Sequence, residues 1–225
     1  LFRFCIPFKL LKTKINMNKI NNKNRSAFNF ALSGLVALAS LMFFGVASVV
    51  EPALVASFSP LVLMIGVLIV AIAGSVMANM RGNVPVQLIG FALIPIAFGF
   101  ISSPWLAKVD NSILYEAGIL TLLALGVMMV ASALFPEFFK KIVGLLVVAL
   151  IGLILVSVVS IFFLDIDMTI IHIISMVIFM GFLGYDLVLS REVEPTFSNA
   201  IALSSSIFID LLNIFMDLVQ ILGDD

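Results

Sequence analysis

Seven apolar stretches, each long enough to cross a lipid bilayer, dominate this chain: roughly 28–50, 58–79, 86–107, 113–135, 142–164, 168–189 and 199–222. A helix needs about 20 apolar residues to cover the hydrocarbon core, because every backbone N–H and C=O must be satisfied within it. The breaks are short and carry turn residues: Glu51-Pro52 with Ser57 to Pro60, Arg81-Gly82-Asn83 with Pro85, Lys108 to Ser112, Pro136 to Lys141, Asp165 to Asp167, and Ser190 to Ser198. Consecutive helices are therefore expected to be antiparallel neighbours, with no room for an extramembrane domain. The expected fold is an all-α integral membrane bundle of seven transmembrane helices. A basic tail over 1–27 is expected to be disordered, and 28–223 to form the membrane domain. Composition agrees, since 63% of residues are hydrophobic, 11% are charged and the mean hydropathy is +1.27. A soluble domain carries about 25% charged residues.

The same counts exclude several chemistries. One cysteine, Cys5, allows no internal disulfide and no thiolate metal site, and the single histidine, His172, stands in no HExxH or GxSxG pattern. No enzyme of these kinds is expected, no cofactor is called for, and nothing points to nucleic acid. The segment before the first span has no signal-peptide cleavage pattern. Met17, followed by polar residues, is a candidate translation start.

The charges orient the chain. Seven Lys/Arg precede residue 28, and Arg81, Lys140, Lys141 and Arg191 fall in alternate loops, so eleven of the twelve lie on one side, with Lys108 alone on the other. Basic loops stay cytoplasmic. The N-terminus is thus expected inside and the acidic end, Asp224-Asp225, outside or in a lumen, with Glu51, Asp110, Asp165 and Asp167 facing the same way.

Four acids fall inside the spans: Glu116, Asp186, Asp210 and Asp217. A charge at mid-bilayer costs about 2.5–3.5 kcal/mol on insertion scales, which makes each a functional candidate. In the last span Ser206, Asp210, Asn213, Asp217 and Gln220 are spaced 4, 3, 4 and 3, so they share one helix face. Phe208, Ile209, Leu212, Phe215 and Leu218 or Val219 occupy the other. Such a stripe must face protein or water. Ser206 and Asn213 alone would read as interhelical glue; two carboxylates on the stripe read as a polar pathway or ion site. Asp186, in Gly184-Tyr185-Asp186, precedes Asp210 by 24 residues across a turn, so on a packed hairpin the two can form one titrating pair. Asp186 read by itself is a helix-end acid paired with Arg81 or Arg191. Arg81 is also readable as a positive-inside anchor, Glu116 as interfacial or pathway-lining, and His172 as interfacial.

Gly184-Tyr185-Asp186-Leu187 and Ile209-Asp210-Leu211-Leu212-Asn213-Ile214-Phe215 resemble the Bax inhibitor-1 family, especially its bacterial branch. Met80-Arg81 and Glu116-Ala117 with Thr121 resemble that family's second- and fourth-helix patterns. The resemblance implies a central seventh helix enclosed by the other six, in two three-helix layers. It implies a pH-sensitive calcium leak gated by a dyad matching Asp186 and Asp210, with Arg81 as the latch. Ser206, Asn213, Asp217 and Glu116 would line the path, and Ca²⁺ would meet Asp186 and Asp210 in passing. Partners would be lipid, Ca²⁺ and protons, in a bacterial inner membrane or a eukaryotic intracellular one. Asp217, the long basic tail and the lack of an acid before Arg81 depart from the family pattern.

Four other functions compete with a leak. An intramembrane aspartyl protease would carry Gly-x-Gly-Asp where this chain has Ile207-Phe208-Ile209-Asp210. A proton-coupled transporter would show internal repeats and broken helices, whereas only Pro95 interrupts a span centre here. A retinal pump lacks its lysine in the last span. A nonconducting adaptor regulating cell death or stress has no sequence feature against it, and calcium uptake into vesicles separates it from a leak.

Overall fold

A computed structural model describes residues 22–163 and 167–223. Most of the basic tail, with Cys5 and Met17, lies outside the described residues, as do Asp165 and Asp224-Asp225. The described chain is all helical: α1 (Asn22–Val49), α2 (Pro52–Ala56), α3 (Pro60–Ala78), α4 (Val84–Leu106), α5 (Asn111–Leu134), α6 (Pro136–Phe163), α7 (Met168–Glu192) and α8 (Phe197–Gly223). Among the described residues seven helices are long and apolar enough to cross a membrane, all but the short α2. The seventh span of the sequence is therefore α8.

Helix limits follow local chemistry. Asn83 caps α4 by accepting from the Val86 N–H at 3.3 Å, and Ser59 caps α3 by accepting from Val62 N–H at the same distance. Gly82 takes φ 90° in the turn between them, a conformation that favours glycine. The expected break over Pro136 to Lys141 is instead the first turns of α6. Proline needs no N–H at a helix start, and Lys140 finds partners there, at 3.0 Å from Glu137 Oε1 and 2.5 Å from Glu192 Oε1. Within α4, Pro104 removes the N–H that the Phe100 carbonyl would accept from. The Ser103 hydroxyl donates to that carbonyl instead, at 3.1 Å.

The chain divides into two compact units, residues 22–108 with 193–208 and residues 109–192 with 209–223. In the first, α4 packs on α1, α2 and α3. Gly74 and Gly90 let α3 and α4 approach backbone to backbone, since a Cβ on Gly90 would lie 2.5 Å from the Gly74 carbonyl oxygen. Buried Gln87 donates through Nε2 to the carbonyls of Ala78 (2.9 Å) and Ser198 (3.2 Å), tying the end of α3 to the start of α8. The Arg25 guanidinium donates to the Val193 carbonyl at 2.9 Å.

In the second unit α7 packs on both α5 and α6. Gly181 faces Leu146, and Gly184 faces Phe139 and Met128. The Arg191 guanidinium donates to the Ser132 hydroxyl at 2.6 Å, fixing one end of α7 against α5. Burial is graded among the spans. In α7 and α8, 56% of the apolar window is buried, against 11% in α6, whose outward residues such as Leu145, Val148 and Leu155 suit lipid.

Candidate functional site

Three of the four acids that the sequence marks as costly, Asp186, Asp210 and Asp217, are buried. Asp186 on α7 is 1% exposed and Asp210 on α8 is 0% exposed. Both belong to the second unit, together with Asn213, Asp217 and Glu116. Arg81 and Ser206 belong to the first unit, where Arg81 stands exposed in the turn between α3 and α4 and Ser206 is buried.

Local sequence explains why α7 can carry Asp186 so deep. Gly181 and Gly184 leave no side chain on one side of the helix, so Leu146 and Phe139 of α6 close over it. Phe182, Leu183, Leu187 and Val188, neighbours of the aspartate along α7, are buried as well. On α8 the stripe is interrupted by nothing larger than an amide. Asn213 turns its Nδ2 back to the Ile209 carbonyl at 2.7 Å and is half-buried, so it stays on the helix rather than bridging to a neighbour. The expected apolar face of α8 is buried as well, with Phe208, Leu212, Phe215 and Val219 all enclosed. This helix is thus surrounded on both faces, and its acids sit in a region of low dielectric.

Asp217 gains a partner that the sequence does not reveal. His172 Nδ1 lies 2.8 Å from Asp217 Oδ1, joining the first turns of α7 to the last turns of α8. The sequence reading places His172 at an interface because only its position near a span end is visible. A sequence separation of 45 hides the pairing. A signal was present, since a lone histidine and an unexplained third acid fall at corresponding depths of an antiparallel hairpin.

Glu116 is exposed in the second turn of α5, while Thr121, one turn on, is buried and donates to the Ala117 carbonyl at 2.7 Å. Among the described residues no three His, Cys, Asp or Glu side chains converge to hold a metal ion. A cation meeting Asp186 and Asp210 would need carbonyl or water oxygens to complete its shell. Ca²⁺, which takes six to eight oxygens, accepts these.

A family model described as "Inhibitor of apoptosis-promoting Bax1" matches residues 23–225, nearly all of the chain. A comparison with curated proteins found no match.

Proposed function

Because the chain belongs to the Bax inhibitor-1 family, we propose that this multi-pass membrane protein is a calcium leak whose path is gated by protonation of Asp186 and Asp210. The observation that carries the reading is the near-complete burial of these two carboxylates, on α7 and α8 of one compact unit. Buried acids in apolar surroundings are costly, and such groups mark ion or proton pathways. A close pair in low dielectric titrates as a unit, because two negative charges cannot both form easily.

Three protonation states give the gate. With both acids protonated, the pair is neutral and attracts no cation. With one shared proton, the two oxygens bridge and hold α7 against α8. With no proton, two negative charges need a counter-ion, either Arg81 or an entering hard cation. Ser206, Asn213, Asp217 and Glu116 line the path on this reading, and the N-terminus faces the cytoplasm with the C-terminus opposite.

Single cysteines in a Cys5→Ser background test path and orientation together, using a membrane-impermeant maleimide. Cysteines at Ser206, Asp210 and Asn213 are expected to react from water. One at Gly82 is expected to react only from the cytoplasmic side and one at Glu51 only from the other. Positions 206, 210 and 213 reacting with lipid-soluble reagent alone would remove the pathway.

A further inference from the structure

We infer that His172 and Asp217 form a second proton-binding site, distinct from Asp186 and Asp210, at the end of the unit where α7 begins and α8 ends. Along α7, Asp186 follows His172 by 14 residues (186 − 172), and along α8, Asp210 precedes Asp217 by 7 (217 − 210). At about 1.5 Å per residue these are about 21 Å and about 10 Å of helix.

Three observations support the site. The imidazole Nδ1 and the carboxylate Oδ1 are 2.8 Å apart, with side chains 26% and 9% exposed. The second carboxylate oxygen, Asp217 Oδ2, is buried and accepts no hydrogen bond of good geometry. Ser175, one turn along α7 from His172, faces the same carboxylate. A pair serving only as glue needs no charge, since a hydroxyl or amide bridges two helices at lower desolvation cost. An imidazole beside a carboxylate does what those cannot, which is to change net charge between about pH 5 and 8. The protonated pair is an imidazolium and a carboxylate, with net charge zero. Release of one proton to water leaves a neutral imidazole, donating its Nδ1–H to the carboxylate, and a net charge of −1.

Among the described residues of this unit, the cations Lys140, Lys141 and Arg191 stand at the other end of α7 from His172. Gly184 faces Met128, and Arg191 meets Ser132, so α5 runs parallel to α7 and brings Glu116 near the level of His172. Asp110, Tyr115 and Glu116 of α5 and Asp167 before α7 are all exposed. From 142 to 163 α6 has no titratable residue, and α8 beyond Asp210 has only Asp217. The −1 charge therefore stands on the α8 stripe. Its effect on cation flux rests on the pathway reading above, whereas the site itself rests on the geometry of His172 and Asp217.

His172 is the only histidine, so ¹⁵N-histidine labelling gives one pair of ring signals to follow by NMR in lipid nanodiscs. The neutral ring is expected to be the Nδ1–H tautomer, fixed by Asp217. In Asp217→Asn the ring is expected to adopt the Nε2–H tautomer. A ring that takes up no proton, or that keeps its Nδ1–H tautomer in Asp217→Asn, overturns the site. If Asp217→Asn does not fold, an Nε2–H neutral ring in the unaltered protein overturns it alone. In proteoliposomes with the pH changed on one side at a time, His172→Gln is expected to lose the flux response from its own side only. A normal NMR titration with unaltered flux responses would keep the site and remove its link to the pathway.

Discussion

Replacing Asp210 by Asn is expected to flatten the pH response of ion flux while preserving the fold. Asparagine keeps the shape of the side chain and removes the proton that the site exchanges. A gate controlled by one proton changes its equilibrium by up to about tenfold per pH unit, equivalent to about 1.4 kcal/mol. With the pH varied from 5 to 8 only on the side away from His172, the variant is expected to vary by less than about twofold. Asp186→Asn should behave likewise. Because both aspartates are buried, at 1% and 0% exposure, removing a charge should not unfold the bundle; a neutral amide is cheaper to bury than a carboxylate. The measurement is flux in proteoliposomes across the pH range, with size-exclusion profiles in detergent to confirm folding.

The second large effect is mechanical. A Cβ on Gly90 would meet the Ala78 nitrogen, the Gly74 carbonyl oxygen and the Met77 Cβ, each at 2.5 Å. Two of these are backbone atoms, which cannot swing aside as a side chain end can. Gly90→Ala is expected to cost about 3 kcal/mol, the upper part of the overpacking range, and Gly90→Leu to yield no monodisperse protein. Gly126 provides the contrast, since a Cβ there has nothing within 4 Å. Gly126→Ala should be neutral or stabilising by up to about 1 kcal/mol through helix propensity. Thermal unfolding in one detergent, with the variants side by side, checks the order.

The spans were legible because the membrane constraint is written residue by residue: apolar length makes a helix, and Pro, Gly and Asn mark its ends. The break before α6 lies earlier than the charged residues suggest, at Phe135. Lys140 and Lys141 look like a loop in sequence, yet Lys140 stays helical by bridging Glu137 and Glu192, and the second of these lies in a distant helix. The short α2 was hidden for a related reason, since five residues between Glu51 and Ser57 carry no periodic signal. The stripe on α8 was legible as a 3-4 spacing, but which of its members find partners was not. Asn213 bonds within its own helix, whereas Asp217 bonds to His172. Helical periodicity fixes a face and says nothing of what stands opposite it. The close contact of α3 with α4 was equally silent, because Gly74 and Gly90 look no different in sequence from Gly118 or Gly126, which touch nothing.

Calcium entry into vesicles tests the central claim most directly. Purified protein reconstituted into liposomes containing a calcium-sensitive dye, with Ca²⁺ added outside, should admit Ca²⁺ faster than protein-free liposomes, at a rate that changes with pH. The Asp186→Asn/Asp210→Asn double variant, equally well incorporated, should lose the pH dependence seen when pH is changed on the side away from His172. Entry no faster than in protein-free liposomes at every pH from 5 to 8, or a double variant with an unaltered rate and pH profile, would contradict the account.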